Sequence, residues 1–307
     1  MALRVRTNVQ SLTAQRNLGL SNQKVAKHMS RLASGYRINK AADDAAGLAI
    51  SESIRGDIRS LVQARRNAND AESMLQVAEG SLEEINNIII RLKELSVQSA
   101  SDTVGGVERN YLNREFQALK HEIDRIAIST DFNGTRLLAG ATELDPVLKQ
   151  LHNESPLEMQ VGKDYMLPPD SLDAPNPVNI IRINFNDLNA TVEGEGSLGL
   201  GSPENESGTR IDSKVDSQLS MMKIESELEK VASYRATIGA VQNRLGSTDR
   251  NLGIQIENLA TAKSRIKDAD FALETAEYTA GNILMQAGAA VLTQANQMPQ
   301  VVLKLLQ

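Results

Sequence analysis

Apolar residues recur at helical spacing over most of this chain. Val5, Val9 and Leu12 keep a step of three or four, and after a slip Leu18, Val25, Met29, Leu32 and Tyr36 resume it. This predicts a first helix that ends at Gly35. "GYRINK" (35–40) reads as an extended connector, and Asp43 or Asp44 as the cap of a second helix. In that helix Leu61, Ala68, Leu75 and Leu82 stand seven apart, and Ile54, Ala64, Ala71 and Ala78 fill the seam. The pattern runs from about 44 to 100, roughly 85 Å at ~1.5 Å per residue. "SDTVGG" (101–106) is a turn, and Leu112, Phe116, Leu119, Ile123 and Ile126 mark a third helix over about 107–129. "STDFNGTRLL" reads as a turn leading into a strand.

The period then changes. Seven of the eight prolines lie between Pro146 and Pro203, none lies in 1–145, and Pro299 is the only later one. Proline costs a helix interior about 3 kcal/mol, so the flanks can be long helices and the middle cannot. "VNIIRINFND" alternates, with Ile181, Ile183 and Phe185 on one face, and reads as a strand; "EMQVGKDYML" is its candidate partner. "EGEGSLGLGSPENESGTR" reads as an acidic, glycine-rich surface loop.

Helical spacing returns after about residue 213, where Leu245, Leu252 and Leu259 stand seven apart in a helix of about 50 residues. A last seam holds Leu284, Val291, Met298 and Leu305 seven apart, with Gly288, Ala295 and Val302 four after the first three. No copy of it lies just upstream to cover it, so its first partner is expected to be the helix at 5–32. Gly288 and Ala295 would let the two approach closely. Pro299 should kink the last turns or start a new one. The expected fold is mainly α: a long antiparallel coiled-coil rod formed by the N- and C-terminal segments, with a small β-containing insert in the middle.

Composition narrows the class. Aromatics are 3% of the chain and Trp is absent, which suits helices packed side by side better than a compact globular core. Without cysteine there is no disulfide, thiolate metal site or cysteine nucleophile. No apolar run approaches the ~20 residues of a membrane span, so no membrane insertion is expected, and the N-terminus lacks the pattern of a secretory signal peptide.

The net charge of −6 hides a pattern. Residues 1–42 hold eight bases and no acid, 140–213 hold thirteen acids against four bases, and 278–307 hold only Lys304. The basic first segment could meet nucleic acid or an anionic membrane. No aromatic interleaves with its bases before Tyr36 and the whole chain is acidic, so a nucleic-acid partner is not expected.

Catalytic candidates fail one by one. "HEIDR" (121–125) begins like a zinc-protease helix but has Arg125 where a second His is required. "GEGSLGLG" lacks the Lys-Ser/Thr and the strand–helix context of a phosphate loop. The adjacent Asp43 and Asp44 cannot converge for acid–base work. No catalytic residue, metal ligand or cofactor is expected.

Several stretches resemble bacterial flagellin: "RLASGYRINKAADDAAGLAISE" (31–52), "GAVQNRL" (239–245), "SRIKDADFALETAEYTAGNILMQAGAAVLTQANQMPQVVLKLL" (264–306), the N-terminal run and "DFNGTRLLAG" (131–140). The resemblance covers roughly 1–140 and 210–307. It implies inner-core terminal helices at 1–42 and 263–307, paired as a coiled coil, an outer-core helical rod at 43–139 and 213–262, and a short variable insert at 140–212. It also implies a subunit that leaves the cell unfolded through the flagellar type III channel and polymerises outside it into the swimming filament. Heterologous stacking without ring closure gives such an open filament.

The assembly residues would be Val5, Val9, Leu12, Leu18, Val25, Met29, Leu32, Leu284, Val291, Met298, Val302 and Leu305. In the free subunit about 1–40 and 265–307 are expected to be largely disordered, since ordering costs ~1–2 kcal/mol per residue and a lone stripe has few partners. The implied partners are further copies of the chain, hook-associated junction and capping proteins, an export chaperone at the C-terminal segment and a Toll-like innate immune receptor. Arg91, Leu95 and Glu115 would form the receptor contact or an axial contact between protofilaments. A hook–filament junction protein of the same helical plan is the alternative; the ending "QANQMPQVVLKLL" favours the filament protein.

Overall fold

A computed structural model describes residues 8–140, 156–164, 179–185, 188–192, 197–201 and 208–305, with side chains as far as Gln297. In chain order the elements are α1 (Val9–Ser34), α2 (Ala45–Ala100), α3 (Gly106–Ser129), β1 (Asp131–Phe132), β2 (Thr135–Arg136), β3 (Leu157–Gln160), β4 (Ile180–Ile183), α4 (Lys214–Lys267) and α5 (Phe271–Leu305). They fall into two compact units, residues 59–255 and residues 1–58 with 256–307.

In the 59–255 unit the heptad of α2 faces inward. Leu61, Ala64, Ala68, Ala71, Leu75, Ala78, Leu82, Ile85, Ile89 and Leu92 are all buried, at alternating steps of three and four. From α4, Ile224, Val231, Ile238, Leu245 and Leu252 are buried. Four cross-links set these helices antiparallel: Arg65 Nε to Asp249 Oδ1 at 2.6 Å, Gln242 Nε2 to Glu79 Oε2 at 2.9 Å, Lys93 Nζ to Glu225 Oε2 at 2.9 Å and Ser217 Oγ to Ser99 Oγ at 3.0 Å. The α2 seam is alanine-rich in its first half and Leu/Ile-rich in its second. The larger side chains lie where Phe116, Ile123 and Ala127 of α3 and the β segments join the same core. Burying each large aliphatic side chain contributes about 1.5–3 kcal/mol.

The expected turn after α3 is a tight hairpin rather than a turn into one strand. Asn133 (φ 53°) and Gly134 (φ 79°) form its two-residue loop, with Phe132 opposite Thr135. Both central residues of such a turn need positive φ, which Asn-Gly adopts at least cost. β3 and β4 pair antiparallel, with Leu157 opposite Ile183 and Met159 opposite Ile181. Ile181, Ile183 and Phe185 are buried as the alternation predicts, but β3 begins and ends earlier than "EMQVGKDYML" suggested.

The glycine-rich loop corrects the sequence reading. Leu198 and Leu200 are fully buried in the shared core. Leu198 N donates to Thr191 O at 2.9 Å and Thr209 N to Leu200 O at 2.9 Å, so this irregular backbone can be buried with its polar groups satisfied. Its acidic residues Glu193, Glu195, Glu204 and Glu206 lie outside the described residues. The described part of 140–212 shares one core with α2, α3 and α4 and does not stand apart from them.

Candidate functional site

In the other unit the chain makes an elbow between helices with well-defined ends. Asn8 accepts from Ser11 N at 3.1 Å at the start of α1, and Gly35, with φ 73°, closes it by donating to Arg31 O at 2.8 Å. The two aspartates expected to cap α2 divide the work. Asp44 accepts from Gly47 N at 2.9 Å and is the cap. Asp43 instead holds the connector, accepting from Lys40 N at 3.1 Å and Asn39 N at 3.3 Å and pairing with Lys27 at 3.2 Å. The Lys40 amide and the Lys27 ammonium hold its carboxyl below the usual range. Asp270 caps α5 through Ala272 N at 2.9 Å and Leu273 N at 3.3 Å.

The connector pairs with the α4–α5 link. Tyr36 and Asp268 form an isolated antiparallel bridge, Arg37 N donates to Lys267 O at 2.7 Å, and Ala269 N donates to Gly35 O at 2.9 Å. Lys267 Nζ lies 5.1 Å from the Tyr36 ring centroid and 3.1 Å from Glu52 Oε1. Hydrogen bonding to Lys267 is the main cause that holds the Glu52 carboxyl low, against a burial effect that raises it.

From this elbow α1 and α5 run back antiparallel. Asn8 Nδ2 donates to Ala295 O at 2.7 Å and Ser11 Oγ to Asn296 Oδ1 at 2.8 Å. Leu18 lies against Gly288 and Val25 against Gly281. Nearer the elbow, Glu274 accepts from Arg31 Nη1 at 2.8 Å and sits 2.5 Å from His28 Nδ1. Each step of seven along α1 meets a step of seven back along α5. Burial alone would raise the Glu274 carboxyl; its hydrogen bonds to His28 and Arg31 outweigh that and hold it below its ordinary range.

This geometry corrects which residues face the partner helix. Leu18, Val25 and Leu32 are half-buried on the seam as expected. The most buried positions of α1 are instead Ser11 and Ala14, and those of α5 are Glu274, Gly281 and Ala295. Val9 and Leu12 are each 57% exposed, Met29 is 54%, and Leu284 and Val291 are each 59%. The reason is close approach: small seam residues bring the backbones together, which turns the larger side chains to the flanks. An open groove of about 590 Å³ runs beside this seam, lined by Val9, Thr13, Ala14, Val291 and Ala295 among others. Val5 lies outside the described residues, as do the side chains of Met298, Val302 and Leu305. The helical backbone continues through Pro299 to Leu305, without a new element starting there.

The second candidate face, on α2 and α3, is partly assembled. Arg91 Nη2 lies 2.8 Å from Glu115 Oε1 and Arg91 Nη1 lies 3.0 Å from Glu94 Oε2, all half-exposed. Leu95 does not join them. It is fully buried in the core, so the expectation that it touches a partner is corrected. The spacing of 91 and 95 put both on one helix face, but Leu95 lies on its inner edge, beside the core line that continues from Leu92 to the buried Ser96 and Ser99.

Among the described residues no group of three or more His, Cys, Asp or Glu could hold a metal ion, and no helix is long and apolar enough to cross a membrane.

Long antiparallel helices, with a terminal pair whose larger apolar residues face outward, define a helical subunit of the kind that builds extended assemblies. Comparison with known proteins supplies the family. The bacterial flagellin N-terminal helical region matches residues 5–143 and the C-terminal helical region matches 221–306. The chain is 39% identical to flagellin of Halalkalibacterium halodurans over 302 residues, 98% of each chain. It is 38% identical to flagellin of Bacillus subtilis over 320 residues, 99% of this chain and 100% of the other. A putative flagellar hook-associated protein from Vibrio parahaemolyticus shares the fold, with a TM-score of 0.55 at 14% identity over 74% of this chain and 100% of that one. The chain belongs to the bacterial flagellin family and is a structural subunit of the flagellar filament. Near full-length identity to flagellins decides for the filament over the hook–filament junction reading.

Proposed function

We propose that this subunit polymerises through the outer faces of its terminal helices. The observation that carries the reading is the exposure of Val9, Leu12, Met29, Leu284 and Val291 beside a seam built from serine, alanine and glycine. Each such residue contributes about 1.5–3 kcal/mol when a neighbouring copy covers it, and only an assembly supplies enough neighbours. Val5, Met298 and Leu305 continue the same faces by sequence spacing, whereas Val302, seven after Ala295, continues the seam.

The chain passes unfolded through the flagellar type III channel and assembles outside the cell. An export chaperone covers the C-terminal segment before passage, and hook-associated junction and capping proteins flank the filament. The subunit carries no enzymatic activity. The half-exposed Arg91 and Glu115 remain available for an axial neighbour or a Toll-like receptor, which would then meet free subunits.

The test is elongation of short filament seeds by purified subunit. The full chain should extend them, and a chain lacking 284–307 should not while its 59–255 unit still unfolds cooperatively. Failure of the full chain to elongate seeds at any salt concentration would reject the reading.

A further inference from the structure

The helix α1 contains no acidic residue, and α5 contains none beyond Glu277. Off the seam, Val9, Leu12, Arg16, Leu20, Lys24 and Lys27 follow one another along α1 at steps of three and four, and all six are exposed. Three are large and apolar and three are cationic. Arg31 leaves this row: with His28 it clasps Glu274 across the seam. Lys27 shares its charge with Asp43 at 3.2 Å, while Arg16 and Lys24 have no acidic partner among the described residues. The open groove that begins at Val9 borders the row, and every residue lining it is uncharged. Charge divides along the chain in the same sense. Residues 59–255 hold twenty bases and thirty acids, and the remainder holds thirteen bases and nine acids.

We propose that this row is a lipid-binding face: in the free subunit α1 lies flat on a bilayer that contains anionic phospholipid, without crossing it. Some 27 Å of helix carries the row. The long stems of Arg16, Lys24 and Lys27 lie along the apolar surface and reach the lipid phosphates, while Val9, Leu12 and Leu20 enter between the headgroups. A nucleic acid would take the cations but leave the three apolar residues in water, and no aromatic interleaves with the cations to stack on bases. A second α1 laid against the row would set like charges together, whereas lipid phosphates bring the opposite sign. The inference goes beyond filament growth and does not rest on it, so a chain unable to elongate seeds should still bind.

The chain contains no tryptophan, which allows a single fluorescent reporter. Full-length Leu20→Trp would be mixed with vesicles of phosphatidylcholine alone or with phosphatidylglycerol added. Val97→Trp, at an exposed position of the 59–255 unit, is the comparison. The Leu20→Trp emission should shift to the blue with the anionic vesicles only, and the Val97→Trp emission should not shift. In co-sedimentation the wild-type chain should partition at least about tenfold more strongly to the anionic vesicles than to the neutral ones, and less so as salt rises. Arg16→Gln/Lys24→Gln should remove most of that preference, and Leu12→Ser/Leu20→Ser should weaken vesicle binding. Unchanged melting of the 59–255 unit would show that each variant is folded.

Equal partition to both kinds of vesicle, or a preference that survives Arg16→Gln/Lys24→Gln, would overturn the proposal. So would a shift at Val97→Trp equal to that at Leu20→Trp. A Leu20→Trp shift already complete without vesicles would give the face to a second copy instead. Binding to duplex DNA as strong as to anionic vesicles, with both indifferent to Leu12→Ser/Leu20→Ser, would reduce the face to charge alone and reject lipid.

Discussion

Gly281 and Val25 meet so closely across the α1/α5 pair that a Cβ added at 281 would lie 2.8 Å from Val25 Cγ2, whereas at Gly288 the nearest atom, Leu18 Cδ1, would be 3.4 Å away. The two glycines share a face seven residues apart, but they are not equivalent. At Gly281 the partner must move; at Gly288 the added methyl makes an ordinary contact.

Opposite signs are therefore expected for the same substitution. Gly281→Ala should weaken the helix pair by about 1–3 kcal/mol through overpacking. Gly288→Ala should be neutral or stabilising, because alanine is favoured over glycine in a helix by about 1 kcal/mol. Heat dissociation of filaments made from each variant checks this: the Gly281→Ala filament should come apart at lower temperature than wild type and the Gly288→Ala filament should not.

The Glu274 clasp makes the pair acid-sensitive. A carboxyl whose pKa is depressed by folding contributes stability that is present above its unfolded value, about 4.3, and is lost as pH falls through the lower folded value. Asp43 and Glu52 at the elbow are also held low and act with the same sign. Filament disassembly followed by light scattering should rise as pH drops below about 4. Glu274→Gln should flatten that dependence and weaken the filament at neutral pH.

Leu95 and Arg91 separate core from surface on α2. Leu95→Ala should cost about 2–5 kcal/mol of stability by leaving a cavity. Arg91→Ala and Glu115→Ala should each cost about 0–1 kcal/mol, the usual range for an exposed pair. Urea unfolding of the full chain followed at the helical signal distinguishes them. Equal small effects at all three positions would place Leu95 on the surface after all.

The Asn133–Gly134 turn fixes the hairpin after α3. Gly134→Ala places a side chain at φ 79° and should cost about 1–2 kcal/mol. The same urea experiment would show it.

The helices were legible because their heptads carry large residues over long stretches. Leu75, Leu82 and Ile89 bury where the seven-residue repeat put them, and Gly35 and Asp44 end and begin helices as their chemistry dictates. The face of the terminal pair was harder to read. Ser11, Ala14, Gly281 and Gly288 form its seam, and hydrophobicity is a poor guide where close approach selects small residues. The heptad of Leu284 and Val291 is real, but it marks the flank of the seam, where Val291 lines the open groove beside α1. Gly288 and Ala295, read from the sequence as points of close approach, do lie on this seam, and Gly281, seven before Gly288 and set against Val25, is the position that reading left out. Leu198 and Leu200 were missed because glycines and acids surround them, and their burial depends on backbone bonds to Thr191 and Thr209 that only the fold supplies. The Glu274 clasp joins residues far apart in the chain, and no local pattern marks it.

The outward apolar faces of α1 and α5 are the core of the account, and Leu284→Glu with Val291→Glu tests them most directly. Both residues are exposed in the subunit, so melting of the 59–255 unit should be unchanged. Elongation of wild-type seeds by the doubly substituted chain, followed by electron microscopy, should be abolished at concentrations where the wild-type chain elongates freely. Elongation at the wild-type rate, with filaments of normal appearance, would contradict the claim that these faces build the filament.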